Sequence, residues 1–310
     1  MAWYALMMIV GFAMLVRGAD VFIDGAVAIA RKFAIPEIVI GLTIVAMGTS
    51  APEAAVSITS AIHGANGVAI GNVLGSNIAN ILLILGVTAS ISALSVGRNT
   101  IRYEIPFVGF ITLVLIWMGV HYGAVSHFCA LVLCILFLLF LLYLFRISKN
   151  GSNLEMPETK PMSGVKIISF VIGGLIALVI GGNLAVNGAV GIARILNVSE
   201  RIIGLTIVAF GTSLPELVTC IIAALKKQSD IAIGNIVGSN IFNILFVLGI
   251  AGLIRSIPFE PVFLVDAVIS LFTVILLWIA TVRHGRLSRP MGALFFGFYI
   301  VYIIWLILAK

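Results

Sequence analysis

The chain has 310 residues, of which 62% are hydrophobic and only 10% are charged, with a mean hydropathy of +1.24. A soluble domain carries roughly a quarter charged residues, so this composition excludes a water-facing globular surface and indicates an all-α membrane protein within a lipid bilayer. The net charge of +6 does not indicate nucleic-acid binding, because the chain has no nucleic-acid-binding motif and basic residues of membrane proteins gather in cytoplasmic loops.

Ten apolar runs follow one another along the chain, and each is long enough for a membrane span of ~20 residues. They cover residues 2–30, 38–62, 68–92, 104–120, 124–146, 165–193, 202–225, 230–254, 262–282 and 290–308. The stretch between the fifth and sixth runs is rich in Ser, Asn, Pro and charge, which predicts a flexible linker. We therefore divide the chain into a first five-helix repeat (1–146), a linker (147–164) and a second five-helix repeat (165–310).

The two halves repeat one another at a fixed offset of 163 residues. This offset aligns GLTIVAMGTSAPE (41–53) with GLTIVAFGTSLPE (204–216), and AIGNVLGSNIANILLILG (69–86) with AIGNIVGSNIFNILFVLG (232–249). Without a gap, 26 of 46 positions are identical, including glycine, proline, glutamate and asparagine positions. Chance similarity between leucine-rich segments would not conserve those residues at one offset, so the sequence indicates an internal duplication.

The basic residues predict the orientation. If the N-terminus lies outside and ten spans alternate, 13 Lys and Arg residues fall on the cytoplasmic side and 4 on the outer side. The positive-inside rule then favours outer termini and a cytoplasmic linker, in the inner (plasma) membrane of a cell. Because five spans is an odd number, the second half enters the membrane in the opposite direction, which predicts the inverted-repeat architecture of many secondary transporters.

Two acidic residues, Glu53 and Glu216, lie inside apolar runs at equivalent positions. An ionised group at the bilayer centre costs about 3 kcal/mol on insertion scales, and such residues are usually functional. The alternative is a structural carboxylate paired with a cation, but no Lys or Arg lies nearby within either segment. We therefore expect both glutamates to function in ion binding.

A proline precedes each glutamate and removes a backbone donor, which frees the carbonyl group four residues earlier. The prolines are Pro52 and Pro215, and the freed carbonyls belong to Gly48 and Gly211. Broken helices survive at membrane depth only where they are buried in protein or line a polar cavity. We predict that transmembrane helices 2 and 7 are broken and that a cation takes the freed carbonyls; a structural kink alone is the alternative.

Hydroxyl and amide side chains accompany each glutamate. On a continuous helix Thr49 and Ser50 would share the face of Glu53, and the GNxxGSNIxN stretch places asparagine and serine on one face of the next helix. The residues are Thr49, Ser50, Asn72, Ser76, Asn77 and Asn80, and in the second copy Thr212, Ser213, Asn235, Ser239, Asn240 and Asn243. Helix-to-helix hydrogen bonding is an alternative role for the asparagines, most of all at positions 72, 77, 235 and 240.

Carboxylate, amide, hydroxyl and backbone oxygens, without sulfur or imidazole, favour hard cations such as Ca²⁺ or Na⁺. Two ionised glutamates carry a charge of −2, which one Ca²⁺, two Na⁺ or two H⁺ neutralise. Three Na⁺ would leave one positive charge in excess and make an exchange electrogenic.

The motif GTSxPE followed by GNxxGSNI, present twice, resembles the two alpha-repeats of the cation/calcium exchanger superfamily. Over nearly its whole length the chain is similar to prokaryotic calcium/sodium antiporters and the archaeal sodium/calcium exchanger. The resemblance implies alternating access at one midplane site, with the long first and sixth helices sliding across it. It implies a transporter rather than an enzyme, without a cofactor, which we expect to act as a monomer.

The resemblance also implies the ion ligands. They are the carbonyl groups of Ala46 and Ala209 and the side chains of Thr49, Ser50, Glu53, Ser76, Asn80, Thr212, Ser213, Glu216, Ser239 and Asn243. Some archaeal members carry aspartate where this chain has Asn243, so the site here contains two acids rather than three. The same superfamily includes K⁺-dependent and H⁺-coupled exchangers, which remain alternatives to Ca²⁺/Na⁺ exchange. A passive cation channel and an intramembrane hydrolase are weaker alternatives, the latter because neither motif serine has a neighbouring base in the sequence.

Overall fold

A computed structural model describes residues 1–150, 162–196 and 209–308. These residues form twelve helical segments and four two-residue strands. The helices are α1 (Ala2–Lys32), α2 (Glu37–Thr49), α3 (Ala51–Ile62), α4 (Asn66–Ile91), α5 (Thr100–Tyr122), α6 (His127–Asn150), α7 (Gly164–Ile195), α8 (Ala209–Gly211), α9 (Leu214–Leu225), α10 (Ser229–Ile254), α11 (Pro261–Val282) and α12 (Arg289–Leu308), and the strands are β1 (Leu94–Ser95), β2 (Ala124–Val125), β3 (Ile257–Pro258) and β4 (Arg286–Leu287).

Within the described residues, eight helices are long and apolar enough to cross a membrane, or nine if α2 and α3 form one bent span. The prediction of an all-helical protein with many membrane spans is therefore confirmed. The predicted seventh span (202–225) lies partly outside the described residues, which contain only its later part, α8 and α9. The predicted linker also lies mostly outside them, although α6 continues through its first four residues to Asn150.

Helices α2 and α3 meet at Ser50 and differ in direction by 53°. Ser50 precedes the first residue of α3, and Pro52 lies in the first turn of that helix, where a missing N–H group costs no hydrogen bond. The interpretation that Thr49, Ser50 and Glu53 share one face of a continuous helix is therefore wrong in its geometry. The bend, rather than helical periodicity, sets how these three side chains are oriented.

Two long helices, α1 and α7, pack along their whole lengths through glycines. A Cβ atom added at Gly11 would lie 2.5 Å from the backbone nitrogen of Ala185, and one added at Gly181 would lie 2.8 Å from the carbonyl oxygen of Gly11. Such contacts are possible only because glycine has no side chain, as is common between membrane helices. Outside this pair, α1 also contacts α9, where Lys226 lies 2.7 Å from Asp20 and 2.6 Å from Asp24.

The centre of the molecule is formed by α4 and α10. In their most apolar stretch 78% and 83% of the residues are buried, compared with 22% in α7. Each helix changes to the wider π-helical hydrogen-bonding pattern at equivalent asparagines, at Asn80–Leu85 in α4 and Asn243–Val247 in α10. Such π segments inside α-helices are rare and frequent at functional sites.

The four strands join the halves of the chain in two antiparallel pairs. In the first, Leu94 of β1 lies opposite Leu287 of β4, and in the second Val125 of β2 lies opposite Ile257 of β3. Each pair therefore connects a loop of the first half with a loop of the second half. Since α5 runs between β1 and β2, the pairs lie at opposite ends of that helix.

Candidate ion-binding site

The two motif glutamates lie at the beginnings of α3 and α9, each one turn after the helix break. Both side chains are 1% exposed. The start of a helix carries unpaired N–H groups and a partial positive charge, which favours a carboxylate there. Helix breaks at Ser50 and Ser213 thus allow buried acids to be ionised at a depth where they would otherwise be costly.

Hydrogen bonds cross between the two motifs. The Ser50 hydroxyl donates to Oε1 of Glu216 over 2.9 Å, and the Ser213 hydroxyl is hydrogen-bonded to the Glu53 carboxylate. Each glutamate is therefore bonded to the serine of the other motif, and the two carboxylates are close enough to repel one another. Residues that are 163 positions apart in the chain are in this way brought into one buried cluster.

The central helix α10 completes one side of this cluster. The Ser239 hydroxyl accepts a hydrogen bond from Ser50 over 2.8 Å and donates to the Ala46 carbonyl over 3.5 Å. The Thr49 hydroxyl donates to Oδ1 of Asn235 over 2.9 Å. Four predicted ligands, Ala46, Thr49, Ser50 and Ser239, are therefore in direct contact with one another or with a motif glutamate.

Four asparagines connect α4 and α10 with nearly symmetric hydrogen bonds. Asn77 donates to the Asn240 carbonyl over 3.3 Å, and Asn240 donates to the Asn77 carbonyl over 3.4 Å. Asn80 donates to Oδ1 of Asn240 over 2.9 Å, and Asn243 donates to Oδ1 of Asn77 over 3.2 Å. The predicted ligands Asn80 and Asn243 are thus both held by their amide nitrogens, which leaves their own oxygens available.

The sequence left open whether the other asparagines are ligands or helix-to-helix contacts, and the geometry favours contacts. Asn72 donates to Ser57 over 2.9 Å and to the carbonyl of Glu53 over 3.2 Å. At the equivalent position Asn235 donates to the thiol of Cys220 over 3.4 Å. Both side chains therefore attach a central helix to the helix that begins with a motif glutamate.

The remaining predicted ligands belong to the same elements. Ser76 on α4 and Ser213 before α9 are buried, with 7% and 3% of their surfaces exposed. Thr212 is half-buried beside Ser213, and Ala209 is the first residue of α8. The contacts of the Ala209 carbonyl depend on residues 197–208, which lie outside the described part of the chain.

Three acceptor oxygens in the cluster have no hydrogen-bond partner among the described residues: Oε2 of Glu53, Oε2 of Glu216 and Oδ1 of Asn243. Within that same part of the chain neither glutamate forms a salt bridge. An unpaired buried acceptor is costly, and a buried charge much more so. A cation bound between these oxygens would satisfy all three, so the chemistry of the cluster suits a hard, oxygen-binding ion.

Comparisons with known proteins agree with this chemistry. The family model described as sodium/calcium exchanger protein matches residues 3–146 and 166–308. The sodium/calcium exchanger MaX1 of Methanosarcina acetivorans is 30% identical over 96% of this chain and 97% of its own length. The inner membrane protein YrbG of Escherichia coli is 34% identical over 96% of this chain and 94% of its own.

Among solved structures, the sodium-calcium exchanger NCX_Mj, soaked with zero Na⁺ and Ca²⁺, superposes with a TM-score of 0.86 at 35% identity. The alignment covers 98% of this chain and 99% of that structure. Fold and site together define a multi-pass membrane transporter of cations. The chain belongs to the sodium/calcium exchanger family, which confirms the resemblance seen in its duplicated motifs.

Proposed function

We propose that this protein is a secondary antiporter that exchanges Ca²⁺ for Na⁺ by alternating access at a midplane site between the two GTSxPE motifs. The observation that carries the proposal is the crossed hydrogen bonding of Ser50 with Glu216 and of Ser213 with Glu53. It brings two unpaired acids into one buried cluster of oxygens. The ligands are the carbonyls of Ala46 and Ala209 and the side chains of Thr49, Ser50, Glu53, Ser76, Asn80, Thr212, Ser213, Glu216, Ser239 and Asn243.

The charge of the site supports competition between the two ions. Glu53 and Glu216 together supply −2, which one Ca²⁺ or two Na⁺ neutralise. Both ions need the same unpaired oxygens, so binding of one displaces the other. The amide oxygen of Asn243, which has no hydrogen-bond partner among the described residues, is a neutral ligand and leaves that balance unchanged.

Alternating access requires two arrangements of the protein that differ in their affinity for the ions. The packing supports α1 and α7 as the moving unit, since these helices pack on one another through glycine and are the less buried elements. The ligand-bearing helices α4 and α10 are the most buried and are joined by the four asparagines. A rigid centre with a separate helix pair beside it is what such a mechanism needs.

The function is tested by flux into proteoliposomes that contain the purified full-length protein. With Na⁺ inside and none outside, we expect rapid uptake of ⁴⁵Ca²⁺, and no uptake when choline replaces internal Na⁺. Parallel arms with K⁺ and with a pH gradient distinguish the other branches of the family. Uptake that ignored Na⁺ but followed the pH gradient would show a cation/proton exchanger instead. A passive channel would lack acceleration of tracer flux by Na⁺ on the far side.

The site is tested in the same assay with Glu53→Gln and Glu216→Gln. Each variant removes one of two negative charges, so we expect Na⁺-dependent Ca²⁺ uptake to be abolished. The matched control is Asp266→Asn, which neutralises an acid of α11 that bonds to Tyr302 over 3.2 Å, outside both motifs, and it should retain exchange. If either glutamine variant exchanged at the wild-type rate, the assignment of the site would be wrong.

A further inference from the structure

A second buried carboxylate lies far from the motifs, at the start of α5. Glu104 is 2% exposed, and its Oε1 accepts a short hydrogen bond from the Tyr143 hydroxyl of α6. Its Oε2 accepts none from any described residue, and no described cation forms a salt bridge with it. The transport site makes no use of this residue. An acid so buried requires a donor, preferably a charged one.

Glu104 lies in the wall of a groove of about 430 Å³ between α5 and α6. Although these helices follow one another, α5 packs mainly against α11 and α6 mainly against α10, which leaves the space between them open. The lining is largely aromatic and aliphatic. It comprises Pro106, Phe107, Phe110, Leu136, Leu139 and Phe140 beyond the polar end.

The groove faces the side of the protein that touches lipid. Phe110 and Leu139, on opposite walls, are 51% and 54% exposed. The Phe107 and Phe140 rings stack across the groove at 5.5 Å between centroids, so an apolar chain would meet a continuous wall. An alkyl chain gains about 0.8 kcal/mol per buried CH₂ relative to water, but in a membrane that gain is small, so the polar end must provide selectivity.

The polar end carries two opposite charges two residues apart. Arg102 lines the same groove as Glu104 and is exposed, with its guanidinium 5.6 Å from the centre of the Tyr103 ring. A zwitterionic phospholipid headgroup likewise carries a phosphate next to an ammonium group. Arg102 suits the phosphate, and the free oxygen of Glu104 suits an ammonium that can donate hydrogen bonds.

We propose that this groove is a binding site for phosphatidylethanolamine, the zwitterionic phospholipid with a primary ammonium. Its phosphate contacts Arg102, its ammonium donates to Oε2 of Glu104, and one acyl chain lies between Phe107 and Phe140. Phosphatidylcholine has no N–H donor, and phosphatidylglycerol has no positive charge, so each satisfies only part of the polar end. The second half has a similar acid–tyrosine pair, Asp266 and Tyr302, but with leucine two residues before the acid it lacks the paired charges.

The test is native mass spectrometry of the full-length protein, titrated with the three lipids carrying identical acyl chains. We expect wild type to bind phosphatidylethanolamine at least about tenfold more tightly than the other two, since a charge-assisted hydrogen bond contributes about 1.5–3 kcal/mol. Glu104→Gln and Arg102→Gln should each remove this preference, and Asp266→Asn should retain it.

Three results would overturn the proposal: equal affinity of wild type for all three lipids, a preference that survives both groove variants, or an equal loss in Asp266→Asn. Arg102 is exposed, so its variant reports on the site even if Glu104→Gln does not fold. Filling the groove by Leu139→Trp should displace the lipid without changing either charge. These measurements do not depend on ion exchange, so their outcome is independent of the transport proposal.

Discussion

At the scale of single residues, Ser50 is the most connected hydroxyl of the candidate ion site. It donates within reach of two acceptors, Oε1 of Glu216 at 2.9 Å and the Ser239 oxygen at 2.8 Å. One hydroxyl thus holds a carboxylate of the other motif and a hydroxyl of the central helix in place. Its removal leaves the glutamate buried but no longer oriented.

We expect Ser50→Ala to raise the Ca²⁺ concentration for half-maximal exchange about tenfold, because a hydrogen bond to a charged group contributes about 1.5–3 kcal/mol. The measurement is the Ca²⁺ dependence of Na⁺-driven flux in proteoliposomes. Ser90→Ala is the matched control, since the Ser90 hydroxyl only donates to the Gly86 carbonyl of its own helix, over 2.7 Å. An unchanged Ca²⁺ dependence in Ser50→Ala would mean that this hydroxyl takes no part in ion binding.

Much of the membership of this cluster could be predicted from the sequence, because polar residues repeated inside apolar runs have few structural explanations. The pairings could not be predicted, since they depend on distances between helices that are more than 150 residues apart in the chain. The asparagines illustrate this difference. Asn72 and Asn235 are identical in both copies, and only their contacts with Ser57 and Cys220 show that they attach one helix to another.

Glu104 shows the opposite case, because no repeated motif marks it. Its significance depends on the splayed packing of α5 and α6 and on a tyrosine 39 residues later. Amphipathic periodicity cannot reveal such a gap, since the residues on both walls are as apolar as those that face lipid elsewhere. A single acid near the end of a predicted span is also common enough to be read as interfacial.

At the scale of helices, the contact between α1 and α7 depends on glycines that alternate with larger residues. Gly174 is buried against α1, and a Cβ atom there would lie 2.7 Å from the backbone nitrogen of Phe22 and 2.8 Å from the carbonyl oxygen of Gly18. Backbone atoms cannot move aside as a flexible side chain would. The adjacent Gly173 is exposed, and no described atom lies within 4 Å of the same position.

Gly174→Ala should therefore destabilise the protein by about 1–3 kcal/mol, the usual cost of overpacking, and slow exchange by separating the two helices. Gly173→Ala, with the same change of side chain one position earlier, should behave as wild type. Thermal unfolding in detergent and Na⁺-driven Ca²⁺ flux measure the two effects. Equal melting temperatures for both variants would show that the helix pair tolerates separation and that the close contact is not required.

The lengths of these helices agree well with the sequence, which predicts spans at 2–30 and 165–193 where α1 and α7 extend from residues 2 to 32 and 164 to 195. Long apolar runs define such helices because lipid requires every backbone group to be bonded within the segment. The single run at 38–62 instead forms two helices. Proline indicates that break, but not its angle, which depends on what packs at the bend.

At the scale of the whole molecule, the strand pairs support the proposed inverted repeat. The offset of 163 residues carries Leu94 of β1 to Ile257 of β3, and Ala124 of β2 to Leu287 of β4. Exchanging the halves therefore converts the pair β1–β4 into the pair β3–β2. These pairs lie at opposite ends of α5, so the operation that relates the halves also exchanges the two membrane faces.

This relation predicts that equivalent loops face opposite sides of the membrane. His63 follows α3 and Lys227 follows α9, and both lie at the loops after the motif helices. We expect His63→Cys to react with a membrane-impermeant maleimide in intact cells, and Lys227→Cys to react only after permeabilisation, because the positive-inside rule places the first loop outside and the second in the cytoplasm. The parent protein is the control, since Cys129 and Cys220 are buried and Cys134 is half-buried. Labelling of both positions from the same side would require parallel repeats, and Glu53 and Glu216 would then enter the site from the same direction rather than from opposite ones.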